Sequence, residues 1–205
     1  MAEQARPAWV SRSGWDGIVD IGSFGTPGPS GLSVRRLEGL GLASLIAAPG
    51  GGLERRLRDL TGLDLPRTPV IVRTDRHAVV WSGPGRWLLL ARQREGFAAL
   101  CAALADVAAV SEQSDARLAL RLSGPQLRAV LAKGVMLDLH PAAFAVDAAA
   151  QTSIAHVGVQ IWREPDDAGG SVFELLVPRS MAGSFWSWLS GSAAEFGCTV
   201  TADRG

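Results

Sequence analysis

The sequence predicts an α+β fold made of two similar halves, each a split βαβ unit with its helices on one sheet face. Three observations predict it. Apolar residues switch repeatedly between helical spacing and strand-like runs. Two helix exits read alike, Leu63-Asp64-Leu65-Pro66 and Leu137-Asp138-Leu139-His140-Pro141. Each exit is followed by strands, by an aromatic-bearing strand start (Trp87-Leu88-Leu89, Phe173-Glu174-Leu175) and by a helix carrying Phe97 or Phe185. The implied order is β-α-β-β-α-β, used twice. It divides the chain into an irregular arm over 1–31 and a domain over 32–205, with halves at about 32–112 and 113–205. Chance similarity between Leu-rich segments is the alternative to duplication.

In the arm, Gly14, Gly17, Gly22, Gly25, Gly28 and Gly31, with Pro27 and Pro29, prevent a sustained helix. Such an arm either lies across a neighbour or is a frayed terminus. Leu53, Leu57 and Leu60 give one apolar face on a helix through Leu53–Gly62. Strands follow at Val70–Arg73 and Ala78–Ser82, joined by the turn Thr74-Asp75-Arg76. Beyond the turn Ser82-Gly83-Pro84-Gly85, the run Trp87–Ala91 is too continuously apolar for an exposed strand. A helix over Gly96–Ala105 carries Phe97, Leu100, Cys101 and Leu104 on one stripe.

In the second half, Leu118, Leu120 and Leu122 alternate with Ala119 and Arg121, as in a strand that buries one face. Ser123-Gly124-Pro125 then opens a helix, with Pro at its first position, the Ser123 hydroxyl helping to close the end, and Leu127, Val130 and Leu131 on the buried side. Strands are expected at Gln151–Ala155, Val157–Arg163 and Ser171–Val177, and a last helix at Ser180–Phe196. On that helix Met181, Phe185, Trp188 and Leu189 should face the core.

Composition excludes several function classes. Twenty Lys+Arg balance twenty Asp+Glu, so no long-range field recruits nucleic acid or an anionic membrane. Lys133 is the only lysine, which reads either as arginine forks for carboxylates or as base composition. No apolar run reaches the roughly 18 residues of a spanning helix. Met1–Val10 lacks the pattern of a secretion signal. Cys101 and Cys198 stand apart with no CxxC, as inert thiols would. A cytoplasmic location is expected.

Catalytic parts are scarce. His77, His140 and His156 follow no metal-ligand spacing, and His140 before Pro141 suits capping of carbonyls. Gly50-Gly51-Gly52 precedes a helix without the lysine and hydroxyl of a phosphate cradle. There is no G-x-S-x-G elbow. Asp115 precedes a buried strand, where capping or a link to Arg117 is expected. No catalytic, cofactor or metal residue is assigned. Seven Trp and no Tyr point instead to contact surface, since Trp is a preferred interface anchor. Trp186 lies roughly 100° from Phe185 on the helix flank, where it either covers the sheet edge or docks a partner. Trp186, Trp87 and Arg86 are the candidate interface residues.

The second half resembles the gamma subunits of heterotetrameric sarcosine oxidases. The likeness lies in Ser114–Pro125, Leu131-Ala132-Lys133-Gly134, Leu137–Pro141 with Phe144, Ala149–Thr152, Trp162-Arg163, Phe173–Ser180 and Phe185–Leu189. In the first half Trp81–Leu89 is similar to that family's Gly-Pro-x-x-Trp-Leu-Leu turn. One departure is Val135, where the family often has Cys. The resemblance implies a fold like the folate-binding domain of glycine-cleavage aminomethyltransferases. It further implies partners: a large alpha, a flavin-bearing beta and a small zinc-binding delta subunit. FAD, FMN, NAD and tetrahydrofolate would sit on those chains, with no catalytic group from gamma. The implied reaction oxidises sarcosine to glycine, with formaldehyde or methylene-tetrahydrofolate and hydrogen peroxide. Two alternatives remain: a folate-binding aminomethyltransferase-like protein, and the related subunit of an N-methylglutamate dehydrogenase.

Overall fold

A computed structural model describes residues 12–48 and 51–203. Gly50 of the triple-glycine run lies outside the described residues. Strands β1 (Gly22–Phe24), β2 (Leu32–Leu37) and β3 (Gly41–Ala47) precede helix α1 (Leu53–Thr61). Then come β4 (Ile71–Arg73), β5 (His77–Gly83), β6 (Arg86–Ala91), α2 (Phe97–Leu104) and β7 (Ala108–Glu112). The second half runs β8 (Arg117–Ser123), α3 (Leu127–Ala132), β9 (Ala149–Ile154), β10 (Val157–Asp167), β11 (Gly170–Pro178), α4 (Ala182–Ala193) and β12 (Cys198–Ala202).

The strands form a five-stranded sheet, β4-β5-β6-β3-β7, and a seven-stranded sheet, β1-β12-β2-β8-β11-β10-β9. Each half therefore runs β-α-β-β-β-α-β, one strand more than expected. The difference lies in the implied order, since β6 and β11 coincide with segments individually expected as strands. Each sits between two neighbours with both faces covered, and an antiparallel meander needs three strands to bring it back beside β3 or β8. The strands β3 and β7 went unread because β3 is buried on both faces at its start, which erases alternation.

Register establishes the duplication. Leu89 pairs with Ala43 and Val79, and Leu175 pairs with Leu120 and Ile161. On that alignment Leu42, Ile71, Val80 and Leu90 correspond to Ala119, Ala149, Trp162 and Leu176. Both sets face the opposite sheet and form one buried inter-sheet cluster. The outer faces carry the helices: α1 and α2 close the smaller core through Leu53, Leu57, Phe97 and Leu104. Leu127, Val130, Leu131, Phe185 and Leu189 of α3 and α4 close the larger. The layers are α-β-β-α, stitched at one edge by Ile71 N–H to the Asp147 carbonyl (2.9 Å) and Ala149 N–H to that of Pro69 (2.9 Å).

Residues 1–11 of the expected arm lie outside the described residues, and the described residues preceding β2 belong to this framework. Trp15 and Val19 are buried in the larger core, and the Trp15 indole donates to the Ala119 carbonyl (3.3 Å). Strand β1 pairs antiparallel with β12, and β2 lies between β12 and β8. The two sheets thus do not part at residue 112, because β1 and β2 extend the larger one.

Local details depart from expectation for identifiable reasons. Leu60 is exposed beyond the end of the core, and Leu63 takes the buried place. Helix α3 starts at Leu127, after Pro125, with no Ser123 cap; the Gln126 amide is instead drawn to the Gly31 carbonyl (3.0 Å). Gly124 makes that approach possible: its φ is +121° and a Cβ would stand 2.6 Å from the Gly31 oxygen.

Candidate functional site

Trp186 sits where the last helix meets the sheet edge. A 3-10 turn over Arg179–Met181 precedes α4 and rotates Met181 off the core stripe, leaving it 39% exposed. Ala182, Phe185, Leu189 and Ala193 form the buried face, and Trp188 tilts against Phe185 with ring centroids 5.9 Å apart. Trp186 is half-buried and meets Phe24 of β1 edge-to-face at 5.6 Å and 79°. Beside it a groove of about 260 Å³ runs between Ser190 and the segment Asp20–Phe24, where Ile21 is 63% exposed. Strand β1 is the outermost strand of its sheet. The indole therefore covers a sheet edge and also borders an open groove of mixed polarity.

The other two candidates lie on the smaller half. Trp87 opposes Trp81 across β5 and β6, packs half-buried on the smaller core, and its indole donates to the Pro66 carbonyl (2.8 Å). That bond explains the aromatic in the Gly-Pro-x-x-Trp turn: it ties the hairpin to the exit of α1. Neighbouring Arg86 is exposed, with no ion pair among the described residues. Trp186 belongs to the helix layer of the larger half, so the three residues do not converge on one spot.

No reactive constellation replaces them among the described residues. Among the described residues no group of three His, Cys, Asp or Glu could hold a metal ion. Asp115 pairs with Arg94 through two bonds (2.8 and 2.6 Å), not with Arg117, which reaches Gln113 instead (3.2 Å). The Arg94 hydrogen bond holds the Asp115 carboxyl below its ordinary range, as an ion-paired structural acid requires. His140 does not cap carbonyls; its Nδ1 accepts from the Ala142 amide (3.3 Å). His156 stands at the β9–β10 turn, where Ala155 and His156 both have positive φ. Burial, reinforced by Arg76, lowers the His77 pKa. Burial also pushes the Cys198 thiol up to about 12 and raises Cys101, the opposite of activation.

A charged cluster between the sheets escaped sequence reasoning. Arg73 of β4 pairs with Glu164 of β10 and with Asp147. Arg121 donates to Glu174 (2.8 Å) and stands 4.0 Å from Glu164, whose carboxylate also accepts from the Trp162 indole (3.0 Å). Burial first, then the nearby Glu164, raises the Glu174 pKa against the pull of Arg121. In the duplicated register Arg121 and Glu174 occupy the places of Ser44 and Leu88. A charged pair inside two otherwise apolar strands was the only available signal.

Comparison with known proteins identifies this scaffold. Residues 51–195 match the family described as "Sarcosine oxidase, gamma subunit family". The chain is 35% identical over 154 residues to the sarcosine oxidase subunit gamma of Corynebacterium sp. (strain P-1), covering 73% of this chain and 74% of that one. With the subunit gamma of Corynebacterium sp. (strain U-96), identity is 32% over 174 residues, 83% of this chain and 78% of the relative. Among solved structures, a chain of the heterotetrameric sarcosine oxidase from Corynebacterium sp. U-96 superposes with a TM-score of 0.70. It is 30% identical, over 80% of this chain and 85% of that chain. The glycine cleavage system aminomethyltransferase T from Bartonella henselae superposes with a TM-score of 0.55 at 16% identity, over 84% of this chain and 48% of that one, which shows a shared fold. With alignments spanning most of both partners and the duplicated sheet plan in common, this chain belongs to the sarcosine oxidase gamma subunit family.

Proposed function

We propose that this chain is the non-catalytic gamma subunit of a heterotetrameric sarcosine oxidase, contributing contact surface to an assembly whose other subunits perform the oxidation. The observation that carries the reading is the 30% identity and TM-score of 0.70 to a chain of a heterotetrameric sarcosine oxidase. In this reading alpha, beta and delta subunits are the partners and hold FAD, FMN, NAD and tetrahydrofolate. The complex oxidises sarcosine to glycine in the cytoplasm, yielding hydrogen peroxide with formaldehyde or methylene-tetrahydrofolate. The titratable groups of this chain fit a supporting role: Asp115 is neutralised by Arg94, and both thiols are pushed away from the thiolate. Trp186 and the groove beside it, with Arg86 at the far hairpin, are the surfaces proposed to meet partners.

Affinity purification of the tagged chain, co-expressed with its neighbouring reading frames, tests this. Three further polypeptides, flavin absorbance and sarcosine-dependent peroxide formation should travel with it, whereas the chain purified alone should show no flavin bands and no tetrahydrofolate binding. Turnover of sarcosine by the isolated chain would overturn the reading.

A further inference from the structure

Between the two sheets, where the link from β2 to β3 passes the link from β7 to β8, a cleft of about 520 Å³ opens to solvent. Its floor is apolar, formed by Leu42, Leu90 and Leu176 at the margin of the inter-sheet core. Its rim is cationic. Three carboxylates line it, and each is already engaged: Glu38 by Arg36 (2.9 Å), Asp115 by Arg94 (2.6 Å) and Asp203 by Arg35 (3.6 Å). Three lining guanidiniums have no ion pair among the described residues: Arg12, which is exposed ahead of the first strand, Arg117 and Arg179. Arg117, half-buried at the start of β8, donates only from Nε to Gln113 (3.2 Å) and has no carboxylate within 4.0 Å among the described residues. Arg179, just past the end of β11, likewise forms no ion pair among the described residues, although its field helps depress Asp115.

We propose that this cleft binds a carboxylate-bearing small molecule with an apolar body, its carboxylate held by Arg117 and Arg179 and its body on the leucine floor. A guanidinium withdrawn from water without a counter-ion is destabilised, and burial lowers the Arg117 pKa accordingly. A carboxylate supplies the missing charge, and guanidinium forks match its geometry bidentately. The cleft volume lies within the range of small-molecule sites, and it sets a leucine floor beside a largely polar, charged rim.

Titration calorimetry of the full chain with 3-phenylpropionate, and separately with inorganic phosphate, tests it. Saturable one-site binding of 3-phenylpropionate is expected, with phosphate at least tenfold weaker because it has no body for the floor. The double variant R117Q/R179Q should lose at least tenfold in affinity with its thermal unfolding unchanged. The single variant R179Q, at an exposed position outside the core, should lose at least threefold and keeps the test valid if the double variant does not fold. Absence of saturable binding to the native chain, equal affinity in R179Q, or phosphate binding as tightly as 3-phenylpropionate would overturn the proposal.

Discussion

Replacing Arg121 with Ser tests the inter-sheet charge cluster. Its guanidinium bonds Glu174 at 2.8 Å and lies 4.0 Å from Glu164, and both carboxylates are buried. Arg121→Ser would leave them facing each other, with Arg73 holding Glu164 and Arg92 left to oppose the charge on Glu174. Breaking a buried pair by removing one partner costs about 3–5 kcal/mol. Because the Arg121 side chain is 25% exposed, the lower end, about 3 kcal/mol, is expected. For a chain of this length that corresponds to a fall in Tm of roughly 6–12 °C. The double variant R121S/E174L recreates the Ser44 and Leu88 of the other half, and should return to within about 1 kcal/mol of the native chain. The sign of the pH effect is fixed. Glu174 is raised in the folded state, so its contribution is fully present below the ordinary glutamate pKa and is lost as pH rises through the folded value. The deficit of R121S should therefore shrink on mild acidification. Thermal and urea unfolding followed by circular dichroism measure all three quantities. A double variant as unstable as the sum of its single variants, or a deficit independent of pH, would refute the reasoning.

Other perturbations read different parts of the fold. Trp186→Ala should lower recovery of partner subunits in a pull-down more than it lowers Tm; equal losses would assign the indole to covering Phe24 alone. In Gly134→Ala the new Cβ would stand 2.7 Å from the Trp188 ring, so urea unfolding should show a loss of about 1–3 kcal/mol, largely relieved by adding Trp188→Leu. Trp15→Ala removes a fully buried indole and should cost about 3–5 kcal/mol by the same assay. Cys198, buried and with its pKa pushed up to about 12, should resist a thiol reagent in the native chain and react only on unfolding, while half-buried Cys101 reacts first.

How far the sequence could be read depended on what each residue's neighbours were. Helices α1, α2 and α4 were legible because their apolar residues recur with a helical period set by local geometry alone. The hairpin strands β4, β5, β9 and β10 were legible through their turns. Strands β3 and β7 were not, and neither were β1, β2 and β12, since a short strand's existence depends on the partner it finds across the sheet. Pairing was equally hidden for charges. Asp115 looked destined for Arg117 two residues away, yet it meets Arg94, brought in from the end of β6.

By itself the sequence determined that two related halves exist, which segments coil into helices, and which family carries these motifs. All three are properties of local spacing and residue type. The tertiary structure alone decided that β1 and β2 extend the larger sheet and that Trp15 helps fill its core. It also decided that Arg121 and Glu174 join Arg73 and Glu164 in the inter-sheet layer, and that Arg117 and Arg179 have no acid partner among the described residues beside an open cleft. These depend on contacts between residues far apart in the chain, whose energies arise only when packing removes them from water together.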